Sequence, residues 1–345
     1  MYKIVIHSPG DHSHLVLEEH PDLEPGPEEI VVSTRAAGVN YADVCVRWGV
    51  YESAKKLVGW PITPGFEFAG TVKKTGMKVT RFQPGDRVFG VSFFNAYASE
   101  VVVAEKHLFL IPESFSFEEA AGFPAVFLTA YHALFQLVRL PHHARVLIHS
   151  AGGGVGSALV QWCRTAGFSS IGVVGSSHKT EYVRSLGAHH VIDKSTEDLW
   201  DRVRMLAPEG LDAVLDANGH TTLWDGYRAL RPTGKLIAYG SHSLLPQNSS
   251  GRMNYFKAAW GLWKTPRFSP LHLISDNKSI IGFNLSFLFD RDDLVSEGMN
   301  AILAGVGQKK LQPLPITPFP LARAGEAHRL IESGRSLGKI VLVTR

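Results

Sequence analysis

Apolar positions recur along the first third of the chain in short runs of β type. Met1–Ile6, Glu29–Thr34, Ala69–Lys73, Asp86–Gly90 and Ser99–Val103 predict strands, punctuated by Pro25-Gly26-Pro27, Pro64-Gly65 and Pro84-Gly85. That pattern predicts an all-β, barrel-like unit over residues 1–123. Near Glu118 the rhythm changes, and Phe117–Val138 reads as an apolar helical stretch broken near Pro124. Beyond it, strand-like runs at Arg145–His149, Ser170–Val174, His190–Asp193, Ala213–Asp216 and Lys235–Tyr239 alternate with helical segments at Gly156–Thr165, Lys179–Leu186 and Thr196–Leu206. Strands alternating with helices imply right-handed βαβ units and a doubly wound parallel sheet. A further strand at Ser279–Phe283, a helix around Asp292–Gly305 and a strand at Lys339–Val343 complete the pattern. The simplest architecture is an α/β domain, residues 124–281, inserted into a β-rich domain made from 1–123 and 282–345.

Composition narrows the function classes. At 345 residues, the chain exceeds what one hydrophobic core usually serves. With 45% hydrophobic and 19% charged residues, it has a folded, globular make-up. A net charge of +3 and no long basic block argue against nucleic acid as a partner. Two cysteines, Cys45 and Cys163, exclude a disulfide framework and a four-cysteine zinc site, and fit a reducing, cytoplasmic setting. The apolar stretch at the N-terminus is too short for a signal peptide. Tyr255–Ile274 carries Phe256, Trp260, Trp263 and Phe268, but Lys257, Lys264, Pro266, Arg267 and Pro270 interrupt it, so it is not a membrane span. Its aromatics beside basic residues suit a peripheral membrane or partner contact, or else a cap on a cleft or dimer interface.

The strongest chemical signal is Val146-Leu147-Ile148-His149-Ser150-Ala151-Gly152-Gly153-Gly154-Val155-Gly156. It follows a predicted strand and opens a helix, the context in which a glycine string binds a dinucleotide pyrophosphate. Ala151 takes the first position, giving A-x-G-x-x-G. An NAD site needs an acid at the end of the second strand. Here that end reads Val174-Gly175-Ser176-Ser177-His178-Lys179, with no carboxylate. Ser176, Ser177 and Lys179, with Lys194 after the third strand, suit a 2′-phosphate. NADPH is the expected cofactor.

Five stretches occur in order: Gly38-Val39-Asn40-Tyr41-Ala42-Asp43, Pro64-Gly65-Phe66-Glu67-Phe68-Ala69-Gly70, Pro84-Gly85-Asp86-Arg87-Val88, Leu128-Thr129-Ala130-Tyr131-His132-Ala133-Leu134 and the glycine loop. Together they resemble the zinc-free quinone oxidoreductase (zeta-crystallin) group of medium-chain dehydrogenases/reductases, over nearly the whole chain. Tyr239-Gly240-Ser241, the aromatic segment and Gly282-Phe283-Asn284-Leu285 resemble its branch of synaptic-vesicle membrane protein homologues. The resemblance implies a Rossmann-type domain inserted in a GroES-like catalytic domain, and a homodimer. Zinc enzymes of the superfamily carry a Cys and a His where this chain has Asn40 or Tyr41, and Phe66, and the metal-binding lobe after Gly90 is missing. No metal is expected, since Glu67 alone holds no zinc and the pairs His142-His143 and His189-His190 lack ligand spacing.

The same resemblance puts Asn40, Asp43, Arg47 and Tyr51 on the substrate side of a cleft, as candidate catalytic residues. It puts Thr129 at the nicotinamide carboxamide, and Asn40, Asn218, Tyr239, Gly240, Ser241, Phe283, Asn284 and Lys339 beside the cofactor. An alternative for Asp43 and Arg47, four apart, is a structural pair on one helix. Asn40 is a candidate oxyanion donor and Tyr51 a candidate acid. Acceptors that carry charge by their own conjugation, quinones and enones, fit a site without a Lewis acid. A double-bond reductase, or a non-catalytic NADPH-binding module, remains open at this level.

Overall fold

In the computed structural model, which describes residues 1–244 and 255–344 and the side chains of all of these except 255–258, the chain folds around two main sheets. Six parallel strands form the first: Arg145–Ile148, Ser169–Val174, His190–Asp193, Leu211–Asp216, Leu230–Ala238 and Ser279–Gly282. Numbered in that sequence, they lie in the order third, second, first, fourth, fifth, sixth. The order reverses beside the first strand, and ligands of doubly wound sheets bind at such a switch point. Alternate residues of the first strand serve opposite faces. Val146 and Ile148 join a core with Leu159, Val160 and Cys163 of the helix Gly154–Ala166, while Leu147 packs with Ile171, Val214 and Val203 on the other side. Burial on both faces explains why these strands read as continuous apolar runs.

The second sheet is mixed and draws on both flanks of the α/β insert. Its strands run in the order Ile316–Pro320, Lys339–Val343, Glu29–Val39, Glu67–Thr75, Arg87–Val91, Leu108–Leu110, with Glu100–Ala104 pairing onto Glu29–Val39. Glu29–Val39 extends five residues beyond the predicted run, through Arg35-Ala36-Ala37-Gly38-Val39, because Lys339–Val343 pairs with that end from Ala36 to Val39. The extension delivers Asn40 to the start of a short helix, Tyr41–Arg47. The helix Asp292–Gly307, grouped by sequence with the β-rich part, puts Val295, Met299 and Ile302 into one core with Phe127 and Leu128 of the helix Pro124–Tyr131.

Candidate functional site

A cleft of about 1050 Å³ opens between the two sheets. Its cofactor end is built from backbone. Ser150 sits in the left-handed region at φ 55°, turning the chain so that Gly153 N–H donates to Ser150 O at 2.9 Å. A Cβ on Gly156 would lie 2.3 Å from Ser150 O, so only glycine permits this turn. On Gly152 it would meet Lys179 Cδ at 2.9 Å, and on Gly154 the Val126 side chain at 2.9 Å. Gly152, Gly153, Gly154, Val155 and Gly156 all line the cleft, and the thirteen-residue helix Gly154–Ala166 presents its N-terminal N–H groups there. An A-x-G-x-x-G loop of this shape fits a dinucleotide pyrophosphate.

Thr129, Asn218, Tyr239, Gly240 and Ser241 line the same cleft, as do Phe283 and Asn284. The Thr129 hydroxyl donates to Ala125 O at 2.7 Å, which leaves its oxygen as an acceptor. The second-strand end departs from expectation in part. Ser176 and Ser177 do not line the cleft: Ser177 Oγ donates to Asp193 Oδ2 at 2.5 Å, and Ser176 Oγ lies 3.2 Å from His178 Nδ1. Hydrogen bonds from Ser177 and Ser195 hold the Asp193 carboxyl below its usual range. Lys179 does line the cleft, but its Nζ donates to Gly334 O at 2.6 Å and Ser336 O at 2.7 Å, and burial lowers its pKa. It ties the second strand to the loop before Lys339–Val343. Lys194 is exposed and makes no ion pair among the described residues. It passes beside Gly175, whose Cβ would lie 3.7 Å from Lys194 Cε.

The acceptor end is built from side chains. Tyr51 and Asn40 both face the cleft, and neither is idle. Tyr51 O–H donates to Asn284 Oδ1 at 2.7 Å, and Ser286 Oγ donates to Ser53 Oγ at 2.9 Å, so the helix Glu52–Leu57 is tied to the turn after the sixth parallel strand. Burial raises the Tyr51 pKa well above the ordinary phenol value. A phenol so placed is a reluctant acid. Asn40 Nδ2 donates to Glu67 Oε1 at 2.8 Å, and Lys339 Nζ donates to Asn40 Oδ1 at 2.6 Å. Aromatic and apolar walls complete this end, with Tyr41, Phe66, Phe289 and Leu285 among them. The Tyr41 and His242 rings meet across the cleft with centroids 4.1 Å apart, and burial pushes the His242 pKa down to about 4. His242 carried no sequence signal, because its neighbourhood arises only when the fifth strand delivers it opposite Tyr41.

Asp43 and Arg47 lie away from the place expected of them. Neither lines the cleft, nor do they form an ion pair with each other. Asp43 is fully buried and accepts from Asn40 N, Gly65 N and Tyr97 O–H at 2.8, 2.9 and 3.0 Å. Desolvation raises its pKa to about 7 against the pull of those hydrogen bonds. Arg47 pairs instead with Glu332 at 2.7 Å and donates to Gly10 O at 3.2 Å, both charged groups fully buried. The helix Tyr41–Arg47 is therefore pinned to Ala324–Glu332 by an ion pair that sequence spacing does not reveal.

The residues at the expected zinc positions are engaged elsewhere. Phe66 packs against Tyr51 and Phe94, with centroids 5.6 and 4.9 Å away. Glu67 accepts from Asn40, Lys339 and Ala125 N. Among the described residues no group of three or more His, Cys, Asp or Glu is placed to hold a metal ion.

Residues 26–132 match the alcohol dehydrogenase GroES-like domain and residues 186–342 the zinc-binding dehydrogenase domain. A 2-haloacrylate reductase of Burkholderia is 33% identical over 98% of both chains. The chain belongs to the medium-chain dehydrogenase/reductase superfamily. Within this superfamily it is 36% identical, over 94% of its length, to a synaptic vesicle membrane protein VAT-1 homolog of Danio rerio, and it spans 65% of that relative's length. Among solved structures, an Escherichia coli quinone oxidoreductase complexed with NADPH superposes with a TM-score of 0.85 at 25% identity, over the whole of both chains. The Rossmann-type domain inserted in a GroES-like domain is thus the superfamily's architecture. No helix among the described residues is long and apolar enough to cross a membrane.

Proposed function

We propose that the protein is an NADPH-dependent, zinc-independent oxidoreductase that reduces quinones or other activated, α,β-unsaturated carbonyl compounds. The observation that carries this reading is the pairing, in one cleft, of an A-x-G-x-x-G loop with an acid-free second-strand end and an acceptor pocket walled by aromatics. NADPH is also what the Escherichia coli quinone oxidoreductase holds. Bound there, the nucleotide supplies hydride. The glycine loop and helix N-terminus hold its pyrophosphate, and Lys194 meets the 2′-phosphate. Tyr41, Phe66 and Phe289 stack and exclude water around a flat acceptor, while Asn40 offers it an amide N–H. Among the described residues Glu67 belongs to no group of His, Cys, Asp or Glu placed to hold a metal, and both its oxygens are engaged. Acceptors that stabilise their own charge follow from that.

The Burkholderia 2-haloacrylate reductase supports a second reading, reduction of an activated carbon–carbon double bond. A homodimer through the exposed edge strand Ser279–Gly282, in a cytoplasmic setting, belongs to the same proposal. Exposed Trp260 and Trp263, with Lys264 over the Trp260 ring, support a peripheral membrane or partner contact; the Phe256 side chain lies outside the described residues. Oxidation of NADPH and NADH should be followed with a quinone, an enone and a simple aldehyde, with and without chelator. Turnover with the first two, preference for NADPH and indifference to chelator are expected. Wild-type protein that binds NADPH and reduces none of them would overturn the reading in favour of a binding module.

A further inference from the structure

The buried pair Glu67 and Lys339 joins four segments that are far apart in sequence. Lys339 Nζ lies 2.6 Å from Glu67 Oε1 and 2.6 Å from Asn40 Oδ1. The same Glu67 oxygen accepts from Asn40 Nδ2 at 2.8 Å, and Glu67 Oε2 accepts from Ala125 N at 2.8 Å. Glu67 is fully buried and Lys339 is 3% exposed. Two glycines keep the space these side chains occupy. A Cβ on Gly38 would lie 2.4 Å from Glu67 Oε1, and one on Gly122 would lie 2.7 Å from Lys339 Cγ. The pair is thus built into the fold at positions that tolerate no side chain.

Its consequence is a choice of polarity. A carboxamide has two ends of nearly equal shape, and neutral surroundings accept either orientation. Here a flip of Asn40 would set its NH₂ against an ammonium and its oxygen against a carboxylate. Charge on both flanks therefore admits one orientation, with the oxygen on Lys339 and the nitrogen on Glu67. The amide proton not given to Glu67 is then the polar group left over for the cleft.

We propose that Glu67 and Lys339 are positioning residues that fix the amide of Asn40 as a hydrogen-bond donor toward the reducible oxygen of the acceptor. This rests on the proposed reduction reaction. Glu67 does not line the cleft, so it acts through the residues it holds, Asn40 and Lys339 on one oxygen and Ala125 N on the other.

The test combines kinetics with a measurement that needs no turnover. E67Q should bind NADPH within about twofold of wild type, yet its kcat with an enone should fall about a hundredfold, with KM moved less. The N40A/E67Q double variant should lose no more than N40A, because both changes remove one donor. K339R should retain most of the turnover. A wild-type kcat for E67Q, or losses that multiply in the double variant, would overturn the proposal. In protein labelled with ¹⁵N-asparagine, the Asn40 side-chain amide should shift and exchange faster with water in E67Q. Should E67Q fail to fold, K339M frees the Asn40 oxygen and should give the same change. An unaltered Asn40 amide in a folded variant defeats the positioning role. A wild type that reduces no acceptor defeats the proposed function and leaves the resonance measurement standing.

Discussion

The two ends of the cleft are made in different ways. At the cofactor end, five consecutive residues, Gly152 to Gly156, do the work with their backbone, and the helix they open adds its N–H groups. At the acceptor end, Asn40, Tyr51, Glu67, Asn284 and Lys339 come from segments up to 299 positions apart and act through side chains. The cofactor end leaves its donors facing the cleft. The acceptor end has already engaged most of its polar groups with one another. A ligand there meets a rigid, pre-oriented surface and takes what the internal hydrogen bonds leave over.

The largest effect that tests this contrast lies behind the acceptor end. Arg47→Met leaves Glu332 buried without its main partner and should cost about 3–5 kcal/mol of stability, read by chemical denaturation. Turnover per folded molecule should barely change. A large loss of kcat at unchanged stability would return Arg47 to the substrate. Next comes the cofactor end: Gly156→Ala forces a Cβ against Ser150 O and should weaken nucleotide binding by about 1–3 kcal/mol in titration calorimetry. Unchanged affinity would mean that the loop is not the phosphate cradle.

Lys194→Ala should weaken NADPH by about 1.5 kcal/mol, roughly tenfold, and leave NADH alone, since an exposed ammonium retains only part of a charged hydrogen bond. Lys179→Ala should weaken both nucleotides alike, because its ammonium serves Gly334 and Ser336 carbonyls. The reverse pattern would exchange their roles. Tyr51→Phe should cost about 1 kcal/mol through the lost bond to Asn284 and leave the pH profile of turnover intact. A lost basic limb would make Tyr51 the acid after all.

The smallest effect is in pH. His242 is held neutral in the folded state down to about 4, whereas its ordinary value is 6.5. Between those values the unfolded chain binds a proton that the folded chain refuses, so stability rises with pH across that window and falls on acidification. His242→Gln should flatten the curve there and leave it unchanged above pH 7. An identical slope in the variant would show that the ring is hydrated.

These contrasts also explain what the sequence disclosed. The alternation of strands and helices from Arg145 to Gly282 is written in local apolar rhythm, and the parallel sheet follows it to within a few residues. The glycine loop is local as well. Asp43 and Arg47 are different, because the face of a seven-residue helix that meets the cleft is decided by what covers its other faces. That cover is Gly65 and Tyr97 over Asp43, and Ala324–Glu332, nearly 300 residues away, over Arg47. In sequence Lys179 suits a 2′-phosphate, because Gly334 and Ser336, its partners, are invisible in its own neighbourhood. The partners of Glu67, namely Asn40, Ala125 and Lys339, are likewise remote from it in sequence.

The strand Lys339–Val343 lies between Ile316–Pro320 and Glu29–Val39, with the whole α/β insert intervening in the chain. Assembly of the molecule is thereby ordered in time. The parallel sheet can form from contiguous segments, whereas the pocket around Asn40 must wait for Lys339 to close a loop of nearly the entire polypeptide. A refolding chain should form the parallel sheet before it recovers the acceptor pocket, and stopped-flow refolding followed by circular dichroism and by acceptor binding would show the interval.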